Sequence, residues 1–318
     1  MPQPSSAIPR PDLGVVAHEY EPGGGMGDFI ALQVLPDFPI ATIEAYYPQM
    51  KRETMLKLRQ TARAPRGKYN RAEWDFDWST VTCKENGWEE VEDDVQAKRY
   101  RTIFDYESAL AMVCKSVILR RREKRVADAV FNTSTWTPVS LTNEWDDADN
   151  ATPIDDINTG KKAIRDATGL EPDTLIVAYS TSLDLGRCAQ VVDQIKYSFP
   201  GVMPGTVKPN MLAQIFQLER VLVGKGVYDS ADLGQDASIT DLWSNEYAML
   251  CRVSDGGINL LEPCLGRSFR WSEDSPVDVV IEEYRDEESR ATIIRGRQHT
   301  HEAIVMADAG YLMDNVTT

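Results

Sequence analysis

The sequence predicts an α+β protein, and three observations carry that expectation. Residues 105–131 hold a single long helical period, with apolar residues recurring on one stripe. Period-two alternation marks a strand in "WDFDW", and the C-terminal tail is rich in strand-forming residues. Between them, residues 152–253 alternate helical and strand patterns, as one mixed α/β unit does. The chain has 318 residues, enough for two compact units with a sizeable core.

The net charge of −16 argues against a protein that coats nucleic acid, because phosphate binding needs clustered Lys and Arg. It is compatible with a protein that lies beside nucleic acid and repels it. The five cysteines, Cys83, Cys114, Cys188, Cys251 and Cys264, are odd in number and form no C-x-x-C pair. They read as free thiols in a reducing compartment. The N-terminal stretch "MPQPSSAIPRPDLG" lacks the apolar centre of a signal peptide, and no run of about 18 apolar residues is present to span a membrane.

In chain order, residues 1–27 are rich in Pro and Gly and lack periodicity. Such a segment is either a frayed tail or an arm that orders only against neighbouring chains. "DFIALQVLPDFPIATIEAYYP" follows, extended because Pro36, Pro39 and Pro48 forbid a helix. Residues 49–98 read as long hairpins projecting from a body, about 30 Å for ten residues per strand. Turns are expected at Ala64-Pro65-Arg66-Gly67 and at Asn86-Gly87. Trp74, Phe76 and Trp78 alternate with Asp75 and Asp77.

The charge of this region is split. In residues 51–71, Lys51, Arg52, Lys57, Arg59, Arg63, Arg66, Lys68 and Arg71 oppose Glu53 alone, a net +7. In residues 73–94, nine acids, among them Glu85, Glu89, Glu90, Glu92, Asp93 and Asp94, oppose Lys84 alone, a net −8. Each block is either a solvated face or half of a docking pair, in which one copy's block meets the complementary block of a neighbour. The candidate contacts are Arg59, Arg63, Arg66, Lys68 and Arg71 with Glu85, Glu89, Glu90, Glu92, Asp93 and Asp94.

The helix at 105–131 has Asp105 as its expected N-cap. Its stripe is Leu110, Val113, Cys114 and Val117, continued by Val126 and Val130. Arg120, Arg121, Arg122, Lys124 and Arg125 form a basic band that faces either nucleic acid or carboxylates of the protein; the acidic total favours the latter. After "TWTPVSLTNEWDDADNAT", a helix runs from an N-cap at Thr152 with Pro153 first, through a capping-box-like Asp155, to a C-terminal cap at Gly169. "DTLIVAYST" is a strand, and Ser180 to Ile195 reads as a helix burying Cys188, Val191, Val192 and Ile195. Pro209 opens a helix that buries Leu212, Ile215 and Phe216. "RVLVG" and "EYAMLCRV" are strands, and the tail holds two or three antiparallel strands.

No stretch completes a catalytic pattern. Gly160-Lys161 lacks the Ser/Thr and the first glycine of a phosphate loop and lies mid-helix, where amides are already bonded; Lys161 and Lys162 are expected surface charges. In "DDADNATPIDD", Asp147 and Asp149 fit a calcium loop, but Ala151, Thr152 and Asn158 break it. His299 and His301 share a strand face, yet His18 is the only other histidine, so a surface strand pair is the simpler reading. No G-x-S-x-G and no Cys-His pairing is present.

The order of parts is similar to the major capsid proteins of tailed bacteriophages, the Hong Kong 97 fold, along nearly the whole chain. The arm comes first, then "VLPDFPIATIEAYYP", a long extension and the single helix "YESALAMVCKSVILRRREKRVADAVF". "EPDTLIVAYSTSLDLGRCAQV", "NMLAQIFQLERVLVGKGVYDS" and "ITDLWSNEYAMLCRV" follow. The resemblance implies an N-terminal arm at 1–48, an extended loop at 49–98, a peripheral domain with the spine helix at 99–150 and 256–318, and an axial domain at 151–255. It implies pentamers and hexamers that close an icosahedral shell around double-stranded DNA, assembled in the host cytoplasm, with no catalytic residue, cofactor or metal. A portal, a decoration protein and a scaffold are implied partners; the scaffold is expected to be a separate protein, since no sizeable segment precedes the arm. Two alternatives stand beside this one: a cellular nanocompartment shell of the same fold, and a soluble nucleotide- or metal-dependent enzyme resting on Gly160-Lys161 and His299/His301.

Overall fold

A computed structural model describes residues 7–19, 29–50, 56–73, 76–100, 104–198, 207–232, 234–257, 259 and 261–317. The expectations at Lys51, Arg52, Glu53, Trp74 and Asp75, and for the rest of the arm, lie outside these residues. The chain begins with β1 (Ile8–Pro9), α1 (Pro11–Glu19), α2 (Ala31–Val34) and β2 (Asp37–Ile40). β3 (Glu44–Met50) and β4 (Phe76–Thr82) form an antiparallel pair, and β5 (Lys84–Asp93) leads into α3 (Asp94–Tyr100) and the spine helix α4 (Tyr106–Val130). β6 (Val139–Ser140), α5 (Pro153–Thr168), β7 (Thr174–Ala178), α6 (Tyr179–Leu185), α7 (Ala189–Ser198) and α8 (Pro209–Ile215) come next. β8 (Arg220–Gly224), the hairpin β9 (Val227–Asp229) and β10 (Ile239–Asp241), and β11 (Ala248–Cys251) complete the middle of the chain. β12 (Gly266–Trp271), β13 (Val280–Asp286), β14 (Ala291–Ile304) and β15 (Gly310–Asp314) close it.

β14 organises the six-stranded sheet. Along one edge it pairs antiparallel first with β13 and then with β12; along the other it pairs with β5. The spine helix, 25 residues and so roughly 37 Å long, lies across this sheet. Leu110, Ala111, Ile118 and Leu119 pack there with Ile281 and Ile294. The second sheet, in the order β6-β15-β11-β7-β8, has wholly buried strands at β7 and β11. α5 rests on it at a close approach: a Cβ at Gly160 would lie 2.8 Å from Tyr311 Cδ1 and 3.0 Å from Leu250 Cδ2. The mid-helix Gly-Lys pair therefore serves packing. Its lysine is no free surface charge, because Lys161 Nζ donates to the carbonyls of Phe216 and Gln217, whereas Lys162 is exposed.

Several local expectations are corrected by tertiary contacts. Asn86-Gly87 is not a turn: β5 runs through it, with Gly87 opposite Arg297 and a would-be Cβ only 3.0 Å from the Gly296 carbonyl. The glycine permits close approach of two strands. The projecting part of residues 49–98 is correspondingly smaller, with β3 and β4 paired at its base and residues 57–73 exposed without strand. The Ala64–Gly67 turn is present, closed by Gly67 N donating to Ala64 O at 2.9 Å. The described arm is not frayed, since α1 packs on the spine helix and Lys115 Nζ donates to Ala17 O at 2.7 Å. Upstream of Pro36 the chain makes the short α2, while Pro39 and Pro48 lie in strands as expected.

The spine helix is capped by Asp105 as predicted, but its buried stripe is rotated. Val113 is exposed and Val117 half-buried, while Lys115, Arg122 and Glu123 are buried because each finds a specific partner. In α5, Gly169 caps with φ 75°, in the left-handed region open to glycine, but Thr152 makes no side-chain cap and Asp155 instead accepts from Gln190 at 2.8 Å. The helix expected at Ser180–Ile195 is two helices, α6 and α7, broken at Gly186 where Ala189 N turns to Ala148 O. Val192 is only half-buried. In the tail, β13 and β14 are antiparallel neighbours, whereas β15 crosses to the second sheet and pairs with β11.

Gly160→Val is expected to lower stability by about 1–3 kcal/mol through overpacking against Tyr311 and Leu250. Urea unfolding monitored by circular dichroism checks it; an unchanged midpoint counts against the close approach.

Candidate assembly interface

The basic band of the spine helix is built inward. Arg122 is 1% exposed; it bonds Asp278 and donates to Ser268 Oγ at 2.9 Å. Arg125 grips Glu302 with both arms, at 3.0 and 2.9 Å, and reaches Thr300 Oγ1 and Asn86 Oδ1 at 3.2 Å. Lys124 pairs with Asp128 one turn on, and Arg121 is exposed. Of the two readings of this band, pairing with carboxylates describes Arg122 and Arg125. Burial pushes the Glu302 carboxyl up, but hydrogen bonding and charge from Arg125, with Arg122 behind it, outweigh burial and hold it below the ordinary 4.5.

Glu123, one residue beyond Arg122, joins three parts of the molecule. Its carboxylate accepts from Ile30 N at 2.9 Å and Ala31 N at 2.8 Å, the open amides at the start of α2. It also accepts from Trp243 Nε1 at 2.7 Å. Burial pushes the carboxyl up, against those three hydrogen bonds. Sequence reading missed Glu123 because it sits inside "RRREKR". The available signal was a lone acid in register with Leu119, Val126 and Val130 at helical spacing.

The candidate contacts separate into two environments. Arg59, Arg63, Arg66, Lys68 and Arg71 lie on the exposed loop between β3 and β4; Arg63 stacks over the Tyr69 ring at 4.7 Å and Arg66 holds φ 67° in the turn. The acids lie on β5 and at the start of α3, some engaged within the chain. Asp94 takes a two-armed ion pair from Arg285 at 2.7 Å, which holds its carboxyl below the usual range. Asp93 accepts from Val95 N at 2.8 Å, Glu90 from Trp88 Nε1 at 2.8 Å and Glu89 from Tyr284 at 3.3 Å. Glu85 stands 3.9 Å from His299 Nε2, and Glu92 lies opposite Thr292. The edge of β5 away from β14 pairs with no strand among the described residues.

The remaining chemical candidates are absorbed by structure. Among the described residues no group of three His, Cys, Asp or Glu could hold a metal. His299 Nδ1 lies 2.7 Å from Asp274, and its ring packs edge-on to Trp271. Asp147 accepts from the amides of Asp149 and Asn150, closing a turn of the kind an acidic loop makes. The cysteines are free and buried, and burial pushes the thiols of Cys83, Cys114 and Cys188 up to about 11. No helix among the described residues is long and apolar enough to cross a membrane.

The architecture, a long helix over a sheet and a second sheet with its own helices, is shared with known proteins. The major capsid protein of Burkholderia phage BcepMu is 28% identical over 299 residues, 91% of this chain and 92% of that one. A phage-related protein of Bordetella bronchiseptica RB50 superposes with a TM-score of 0.72 at 18% identity, covering 98% of both chains. The capsid of Cyanophage P-SCSP1u superposes at 0.57 with 9% identity, over 88% of this chain and 86% of that one. No protein-family profile matches the chain. The fold is that of the Hong Kong 97 capsid shells. Along nearly its whole length the chain is similar to a phage major capsid protein.

Two substitutions test the buried carboxylates. Glu123→Gln keeps the shape but sets an amide NH₂ against at least one of the three donors, Ala31 N when the amide oxygen keeps Ile30 N and Trp243 Nε1, and is expected to cost about 2 kcal/mol in urea unfolding at neutral pH. Glu302→Gln tests the pH dependence. Because the folded Glu302 is held below 4.5, its contribution is complete above that value and is lost as pH falls through the lower folded value. The variant is therefore less stable than the parent at neutral pH, and the gap between their unfolding midpoints narrows in acid. A gap that stays constant with pH overturns the assignment.

Proposed function

We propose that this protein is the major shell subunit of a tailed-phage head, a structural and not a catalytic protein. The observation that carries the reading is the match to a phage major capsid protein along 91% of this chain and 92% of the relative. Copies form pentamers and hexamers that close an icosahedral shell around double-stranded DNA, in the host cytoplasm and then in the virion. A separate scaffold, a portal and a decoration protein are its partners. Residues 1–48 act as the arm, 49–98 as the extended loop, 99–150 and 256–318 as the peripheral domain, and 151–255 as the axial domain, to which β15 contributes a strand.

Ring assembly needs heterologous contacts, in which one surface fits a different surface of the next copy. The charge blocks suit that requirement. β5 is an edge strand lined with Glu85, Glu89, Glu90, Glu92 and Asp93, with Asp94 next to it. Its acidity discourages pairing with an identical edge and favours a basic segment instead. Arg59, Arg63, Arg66, Lys68 and Arg71 of a neighbour supply that segment. The inward turn of Arg122 and Arg125 also removes basic charge from the surface, as suits a subunit that encloses DNA without gripping it.

Purified protein with its scaffold is expected to form megadalton particles by light scattering and negative-stain microscopy; a monomer under all assembly conditions overturns the reading. Nucleic acid inside the particles supports the phage head, and an enzyme cargo in its place supports a nanocompartment. The triple reversal of Arg63, Arg66 and Lys68 to Glu is expected to block assembly while leaving the subunit's circular dichroism unchanged. Normal particles from that variant would remove the basic loop from the contacts.

A further inference from the structure

We propose that Asn86-Gly87 is a self-modification site that the β5–β14 pairing keeps shut: the Asn86 side-chain amide closes on the Gly87 nitrogen in chains whose β5 has left the sheet. The inference is independent of the shell reading.

Asn86 is the sole asparagine of the sequence followed by glycine. Glycine leaves the attacking nitrogen unhindered and the backbone free to turn, and closure joins two groups already held in one chain. Gly87 N gives its proton to solvent base and attacks Asn86 Cγ. The Cγ–Nδ2 bond breaks, and Nδ2 takes a proton and leaves as ammonia. Water then opens the cyclic imide. Opening at Cγ leaves aspartate at position 86. Opening at the main-chain carbonyl leaves isoaspartate, whose backbone runs through the former side chain and is one atom longer.

The strand withholds this geometry without occupying the nucleophile. Asp94 N donates to Arg290 O at 3.4 Å, so the even residues of β5 form the bonded pairs with β14, and Gly87 N–H points to the free edge. The 3.0 Å approach of a would-be Gly87 Cβ to the Gly296 carbonyl agrees, because that carbonyl then faces Trp88 N. The restraint lies in the peptide itself. Asn86 stands opposite Gln298 in a bonded pair, which fixes its carbonyl, and the planar peptide fixes Gly87 N along with it. The Asn86 side chain is held as well: Oδ1 accepts from Arg125 Nη1 at 3.2 Å, and Nδ2 donates to Lys84 O at 3.1 Å. Ring closure has to turn the peptide out of the ladder and break both side-chain contacts.

The sheet accepts the two products differently. Aspartate keeps the main chain and presents a carboxylate to Arg125. Isoaspartate puts the residues on one side of it out of register with β14. Such a chain loses the β5 pairing permanently, so the site records that β5 was once unpaired.

The test incubates the wild-type protein at mildly alkaline pH, folded and in guanidinium chloride above its unfolding midpoint, and follows residue 86 by peptide mapping and mass spectrometry. Conversion at Asn86 is expected in the unfolded chain, and about tenfold or more slower in the folded one, where it waits on local opening. Equal rates overturn the protection, and no conversion in the unfolded chain overturns the site. Glu90→Pro, which removes a ladder N–H from β5, is expected to raise the folded-state rate about tenfold; a parental rate in the folded variant overturns the role of β5. As a further measurement that needs no strand-breaking variant, Asn86→Asp is expected to keep the parent's urea midpoint. The isoaspartate fraction of converted wild-type protein, separated after refolding, is expected to unfold at a lower one. A parental midpoint for that fraction overturns the permanent loss of β5.

Discussion

The buried carboxylate of Glu123 is the contact on which the arrangement of the molecule turns. A charge taken out of water is tolerated only where donors replace the water. Here the donors come from two separate stretches: the amides of Ile30 and Ala31 at the start of α2, and the indole of Trp243, which packs with the spine helix in one apolar cluster. The spine helix is thereby tied at one point both to α2 and to the segment that carries Trp243. Trp243 is fixed in turn by Gly224, where a Cβ would lie 2.2 Å from the indole. Eight residues earlier on the same helix, Lys115 ties down the end of α1 through the Ala17 carbonyl. Two ionisable side chains, one of each sign, set the path of the arm over its own subunit.

The same helix explains how a chain with a dense run of arginines keeps an acidic exterior. Arg122 and Arg125 are spent inside, on Asp278, Ser268, Glu302 and Thr300. What remains outside is organised by strand position. The acidic β5 is an edge, and the basic loop is carried away from the body on β3 and β4. An acidic edge and an exposed basic loop of opposite sign suit the heterologous contact proposed above.

The elements that were legible in the sequence are those whose signal is local. Asp105 caps the spine helix, Gly169 closes α5 with a left-handed φ, and Pro209 opens α8. The Ala64–Gly67 turn and the apolar β7 follow in the same way. The misreadings share one cause. Asn86-Gly87 has the composition of a turn, but ten residues of β14 hold it straight. Val113 and Val117 mark an apolar stripe by periodicity, but the face that is buried contains Lys115, Arg122 and Glu123, which burial tolerates only with partners on other elements. Of the candidate contacts, the basic loop was visible as an exposed charge run, whereas the engagement of Asp94 by Arg285 was not, because 191 residues separate them.

By itself, the sequence determined the order of helices and strands, the acidic balance, the lack of a complete catalytic pattern and the split of charge across residues 51–94. Backbone stereochemistry and short-range periodicity act over a few residues, so a single chain records them directly. Only the tertiary structure decided which face of the spine helix is inner, that β5 joins the main sheet, and that β15 crosses to the other one. It also decided that Tyr47 faces the core while Tyr46 faces out. Those outcomes depend on register and on partners distant in sequence, and a one-residue change of register exchanges the two faces of a strand.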